Sequence, residues 1–224
     1  MKTPKFSIGA ALEFGWQTMT SKFGTLLLYL VVPMLALLAF HIVMFFVFGH
    51  SKPRFTPNYI GGQVIQYSVN LFVTFGLFKV ILKLASNQEP QWHDFINPIT
   101  SYFSYLMATI LFTAIVMTGC LLFIIPGIIW SIQFQQFPYV IIDKNLGPIA
   151  ALKRSSQLTA SARWKLLGFG FTCVIIGIAG LLCFIVGIIP AFLVTCLATI
   201  HVYKQLTDST DQEQPSAEPT VQAS

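Results

Sequence analysis

Charge is what this sequence has least of. Only 9% of its 224 residues are Asp, Glu, Lys or Arg, against about 25% in an ordinary soluble domain. That shortage excludes a water-soluble globule with a normal charged surface. Cysteines are few: Cys120, Cys173, Cys183 and Cys196 lie in apolar runs, without a CxxC pair or a Cys/His cluster. The spacing excludes a disulfide framework or a zinc site and leaves small buried hydrophobes. Catalytic signatures are missing as well. There is no GxSxG, no HExxH, no glycine-rich phosphate loop and no pair of carboxylates inside an apolar run. Asp94 and Asp143 stand near the ends of such runs, with nothing to organise them as a dyad. No catalytic residue, metal or cofactor is expected, and the chain is not expected to be an enzyme.

Apolar surface is abundant. The chain is 55% hydrophobic, contains 21 Phe and has a mean hydropathy of +0.72. These values point to an integral membrane protein. The formal charge of +5 does not call for nucleic acid, because its placement along the chain matters more than its size. The first apolar run opens at Phe23, after Glu13 and Trp16, and is longer than the core of a signal peptide, so it is expected to be a retained span. No lipidation motif stands at either end.

A bilayer-crossing helix needs about 20 apolar residues. Between Asp94 and Asp143 lie 48 uncharged residues, and between Lys165 and Lys204 lie 38. Each stretch is too long for one crossing, so each is expected to fold as a hairpin. The breaks are expected at Ile125-Pro126-Gly127 and around Gly187-Ile188-Ile189-Pro190, where proline and glycine interrupt a helix. The fold class is therefore all-α, with six transmembrane helices over about 23–48, 60–83, 101–125, 127–143, 164–186 and 188–205. Re-entrant hairpins are the alternative to full crossings at the two tight turns. Residues 1–206 form one membrane domain. The polar, acidic stretch 207–224 is expected to be a disordered cytoplasmic tail.

Lys and Arg placement sets the orientation. With the N-terminus inside, Lys2, Lys5, Lys22, Lys79, Lys83, Lys144, Lys153, Arg154, Arg163, Lys165 and Lys204 are cytoplasmic, and only Lys52 and Arg54 lie outside. All the acidic residues also fall inside.

The chain carries internal similarity. A shift of 61 residues matches Gly119, Leu121, Phe123 and Ile124 with Gly180, Leu182, Phe184 and Ile185. A shift of 140 matches Ala10, Ala11, Leu12, Gln17, Ser21, Leu26 and Leu27 with Ala150, Ala151, Leu152, Gln157, Ser161, Leu166 and Leu167. The unit is an amphipathic helix followed by a two-helix hairpin. Such lead-in helices are expected over about 6–20 and 148–161, lying at the membrane interface. A middle unit would open near Gln91–Phe95.

The helix after Gly147-Pro148 is the most cationic stretch before the tail. At about 100° per residue, Lys153, Arg154, Gln157 and Ser161 gather on one side. Ala151, Leu152, Ser155, Leu158, Thr159 and Ala162 gather on the other. Lys153, Arg154, Arg163 and Lys165 are candidates for anionic phospholipid headgroups, at about 1 kcal/mol each. The plainer reading is an orientation anchor that packs the bundle.

Within the spans no Asp, Glu, Lys or Arg lies deep. His41 is expected to be a packed, hydrogen-bonded side chain rather than a proton relay. Gln63, Gln66 and Asn70 share one face of the second span, and Gln133 and Gln136 one face of the fourth. Amides in hydrocarbon need partners, so these five are expected to face each other in the bundle interior. They either fix packing or line a polar cavity. Pro138 follows and is expected to kink its span.

At this point the stretch from Ile124 to Phe169 carries a resemblance. Pro126-Gly127-Ile128-Ile129, then Asp143, Ala151-Leu152, Arg154-Ser155, Leu158-Thr159 and Trp164-Lys165 resemble the signature of YciC-type six-span bacterial inner-membrane proteins. The same elements are similar to the membrane domain attached to some glycerophosphodiester phosphodiesterases. The resemblance implies a bacterial inner-membrane location and brings no catalytic residues with it. The functional expectation is a scaffold or lipid-organising, envelope-maintenance protein, with lipid bilayer and other membrane proteins as partners. The alternative is a small transporter or lipid-handling permease.

Overall fold

The computed structural model describes residues 7–48, 57–96, 99–160, 162–182 and 184–213. Lys2, Lys5, His50, Lys52, Arg54, Ser161, Cys183 and the tail from 214 onward lie outside the described residues. The described residues are helical, with no strands. In chain order the helices are α1 (Ile8–Ser21), α2 (Phe23–Phe48), α3 (Pro57–Ala85), α4 (Trp92–Ile96) and α5 (Ile99–Leu122). They continue as α6 (Ile124–Phe134), α7 (Phe137–Lys144), α8 (Pro148–Ala160), α9 (Arg163–Leu182) and α10 (Phe184–Glu213).

Five helices are long and apolar enough to cross a membrane, over Phe23–Val47, Ile60–Ala85, Ser101–Leu122, Arg163–Leu182 and Gly187–Asp211. Their outer surfaces are oily. Phe46 is 66% exposed, and Leu121 at a hairpin tip is 84% exposed. A water-soluble monomer does not carry apolar surface on this scale, and a bilayer accepts it without cost. The chain is a membrane protein on that ground. Burial concentrates elsewhere, in Leu71–Leu84 of α3, Tyr105 and Ala108 of α5, Phe137–Ile141 of α7, and Leu193–Leu206 of α10.

Two tight hairpins organise the spans. Helix α5 runs antiparallel to α6 and α7 along its whole length. Ser101 Oγ meets Asn145 Oδ1 at 2.5 Å at one end. The rings of Tyr105 and Phe112 pack on Phe137 in the middle, with centroids 5.9 and 5.4 Å away. Gly119 packs on Gly127 at the other end, where an added Cβ would lie 2.9 Å from the Gly127 Cα. Helices α9 and α10 repeat the device with Gly180 against Gly187 and Ala191. Small residues let backbones close to this distance, and lipid-embedded helices gain van der Waals contact from it.

The turns depart from expectation in two places. The first hairpin turns at Phe123, and Pro126 falls in the first turn of α6, where a missing N–H costs nothing. In the second, α9 extends to Leu182 and α10 is already helical from Phe184, so Gly187 and Pro190 lie inside α10. The stretch 127–143, expected as a fourth span, is not one kinked helix. It is broken into α6 and α7 at Gln135-Gln136, with Pro138 in the first turn of α7. Proline cannot donate to the carbonyl four residues back, and its ring clashes with it, so the helix stops and restarts. The C-terminal boundary also moves. Helix α10 runs through Glu213, so 207–213 are helical and not part of a tail.

Helices α1 and α10 pack together. Ala11, Gly15 and Met19 of α1 are buried. An added Cβ on Gly15 would sit 2.7 Å from the Val194 carbonyl of α10, and Phe14 stacks on His201 at 4.4 Å.

The hairpin contacts make a prediction. A Cβ at Gly127 would press on the Cys120 Sγ and lie 2.9 Å from its backbone N. Gly127→Ala should cost about 1–3 kcal/mol through overpacking. Gly177→Ala, with open space around it, should be neutral or stabilising by up to about 1 kcal/mol. Thermal melts of both variants in one detergent compare them. Equal melting temperatures would remove the close-approach argument.

Candidate functional site

The site begins at the break between α6 and α7. Ending α6 at Phe134 frees backbone groups in the bundle, and buried backbone groups need partners. Helix α8 supplies them. Ser155 Oγ donates to the Gln133 carbonyl at 3.2 Å and accepts from the Gln136 backbone N–H at 3.2 Å. Thr159 Oγ1 lies 2.9 Å from the same Gln133 carbonyl. Both hydroxyl residues are fully buried, four apart on one face of α8. Ala151, Leu152 and Leu158 are buried beside them, while Lys153 and Gln157 are exposed.

The expected amide cluster divides in two. Asn70 donates to the Gln66 carbonyl at 2.8 Å and reaches His41 Nε2 at 3.4 Å. His41 Nδ1 lies 2.8 Å from the Leu37 carbonyl, so the tautomer with its proton on Nδ1 fits both contacts. Gln63 is exposed and Gln66 half-buried. Gln133 Nε2 donates to Ser156 Oγ at 2.5 Å. Gln136 is fully buried, with neither Oε1 nor Nε2 partnered. No hydrogen bond among the described residues joins the α3 amides to those of α6 and α7.

The expected cations also separate. Arg154 pairs with Asp211 of α10, which Lys144 approaches at 3.9 Å. Lys153, Arg163 and Lys165 are exposed. Around Arg154 a polar end of the bundle assembles. Tyr203 donates to Asp143 at 3.0 Å. Lys204 donates to the Ala85 carbonyl at 3.0 Å and to Ser86 Oγ at 2.7 Å. Lys83 contacts Asp94 at 2.6 Å. Two adjoining clefts, of about 240 and 260 Å³, share Leu82, Ser86 and Asp143 in their walls. A third, of about 180 Å³, lies between α6 and α9 and is lined by Ile129, Ile132, Arg163, Trp164 and Leu167. Among the described residues no group of three or more His, Cys, Asp or Glu is placed to hold a metal ion.

Tyr203, Asp211 and the pair Ser155/Thr159 escaped notice in the sequence as polar partners. The hydroxyl pair had a signal: two buried-face hydroxyls four apart, following a proline that removes a backbone donor from the preceding apolar stretch. Comparison with family models, curated proteins and solved structures gives no match. The resemblance carried by Ile124–Phe169 therefore stands on those residues alone.

Two expectations follow. An unpartnered buried amide costs about 1–3 kcal/mol, so Gln136→Leu should raise the melting temperature if the amide serves only packing. A lower one would mean that the amide has a partner in the working protein. Asp94 is a pH test. Burial disfavours its charge, but hydrogen bonds from Lys83 and the Gln91 backbone N–H, with the charges of Lys83 and Lys79, outweigh burial and hold the carboxyl below its ordinary 3.8. The folded protein therefore gives up this proton more readily than the unfolded chain. The contribution is complete above 3.8 and disappears as pH falls through the lower folded value. Melting curves of wild type and Asp94→Asn should differ near neutrality and converge in acid. A constant gap would contradict the assignment.

Proposed function

We propose that the chain is a non-enzymatic, polytopic bacterial inner-membrane protein with six spans and both termini cytoplasmic. Its role on this reading is to scaffold partners or organise lipid in envelope maintenance. The sixth crossing is α6 plus α7. The observation supporting it is the end-to-end pairing with α5, from Ser101–Asn145 to Gly119–Gly127, which makes the broken segment travel as far as its intact partner. Helices α1 and α8 are the lead-in helices of repeated units.

The lipid-organising reading rests on where the polar groups are spent. Asn70 and Gln133 are satisfied by neighbouring helices, as packing groups are. Gln66, Asn70 and Gln136 line none of the three clefts described above. The second reading, a small transporter or permease, draws on one observation, the buried amide of Gln136 without a partner.

Cysteine accessibility separates the two without knowledge of a substrate. On a background lacking the native cysteines, Asn70→Cys and Gln136→Cys should resist a membrane-impermeant thiol reagent from both sides. Lys144→Cys should react only in inside-out vesicles. Labelling at Gln136→Cys would exchange the scaffold for the transporter, and labelling of Lys144→Cys in right-side-out cells would reverse the orientation.

A further inference from the structure

Most described cations are spent inside the protein. Lys22 donates to the Leu84 carbonyl and Asn87 Oδ1. Lys83 holds Asp94, Arg154 and Lys144 share Asp211, and Lys204 holds Ala85 and Ser86. Arg163 differs. It has no hydrogen-bond or ion-pair partner among the described residues, and it lines a cleft whose other walls are almost wholly apolar. Ile129 and Ile132 of α6 and Leu167 of α9 form those walls, and Trp164 stands beside Arg163, 84% exposed. Tryptophan with one apolar and one polar end is a residue of the bilayer–water boundary.

We propose that the cleft between α6 and α9 is a binding site for one anionic membrane phospholipid, with its phosphate on the Arg163 guanidinium and part of an acyl chain against Ile129, Ile132 and Leu167. The inference deepens the lipid-organising reading and rests on it. Charge complementarity selects the occupant. A guanidinium pairs with phosphate oxygens through two parallel N–H donors, and no carboxylate among the described residues pairs with it. The apolar walls select a lipid over a free anion, because phosphate ion would meet one cation and leave the rest of the cleft unfilled. The cleft opens where a chain from the surrounding bilayer can enter sideways, between two helices rich in exposed Ile, Phe and Leu. Lys153 is the natural comparison: exposed, with no ion-pair partner among the described residues, but lining none of the clefts described.

The test uses the full chain, delipidated in neutral detergent and then supplied with phosphatidylglycerol, phosphatidylcholine or inorganic phosphate. Bound lipid is counted by native mass spectrometry. Wild type should retain one phosphatidylglycerol in preference to phosphatidylcholine. Arg163→Gln should lower that retention about fivefold, the value of one headgroup charge contact, and Lys153→Gln should leave it unchanged. Ile129→Trp should fill the cleft and reduce retention of both lipids. Ile129 and Arg163 are exposed, so neither replacement disturbs the buried core. Phosphatidylglycerol with brominated chains should quench a component of the tryptophan fluorescence that Trp164→Phe removes. Equal losses in Arg163→Gln and Lys153→Gln, or no effect of Ile129→Trp, would overturn the site while leaving the lipid reading in place. Displacement of the lipid by millimolar inorganic phosphate would make it a free-anion site. Retention of neither lipid would overturn both the site and the reading beneath it.

Discussion

The bundle depends on how one broken helix is repaired. Pro138 lacks the N–H that a continuous α6–α7 would need, the helix is interrupted at Gln135-Gln136, and the backbone groups released there need partners inside the protein. Ser155 and Thr159 satisfy the Gln133 carbonyl and the Gln136 N–H, and in doing so they position α8. With α8 fixed, Arg154 reaches Asp211 and the end of α10. The start of α9 is then carried beside α6, where Arg163 and the apolar cleft come together. Buried hydroxyls in this role differ from the small, indifferent face that residue size alone implies. Ser155→Ala would take the side-chain acceptor from the Gln136 N–H, while Thr159 would still reach the Gln133 carbonyl.

The architecture divides the chain into two environments. One end is packed, aromatic and hydrogen-bonded, with Tyr139, Tyr203 and Phe137 at its centre. Toward the hairpin tips the helices meet mainly through glycine and present Phe, Ile and Leu outward. This distribution suits a protein held together near one face of a bilayer and solvated by lipid along the rest. It also explains why the long-range polar contacts described here gather around α4, α7, α8 and the end of α10, and why α2 contributes little to the core.

Much of the fold was legible in local sequence, because membrane helices announce themselves through length and hydropathy. The hairpin before Asp143 was readable from its uncharged length and from Pro126-Gly127. Pro190 reads in the sequence as the breaker of the second hairpin, yet it lies inside α10, and the close approach of Gly180 to Gly187 brings the two helices together before it. Pro138 was visible, but the hydroxyls that receive its break stand some twenty residues away on another helix. Composition alone places Asp211 in a disordered tail, whereas it lies in α10. Composition cannot register that Arg154 and Lys144 wait for it across the bundle. The amides were readable as residues needing partners, yet their partners, His41 and Ser156, were set by packing.

The contact between α1 and α10 has a consequence for biogenesis. Helix α1 is made long before α10, but its groove at Gly15 is filled by Val194 and Ala198 of α10, and its Phe14 finds His201 there. Synthesis proceeds from the N-terminus, so α1 must wait at the membrane until the eight helices between it and α10, and α10 itself, have been made. Closure of the bundle is then a single late event. A chain interrupted before α10 would keep its early spans and leave its first helix without a seat, exposed to the proteases that police unfinished membrane proteins.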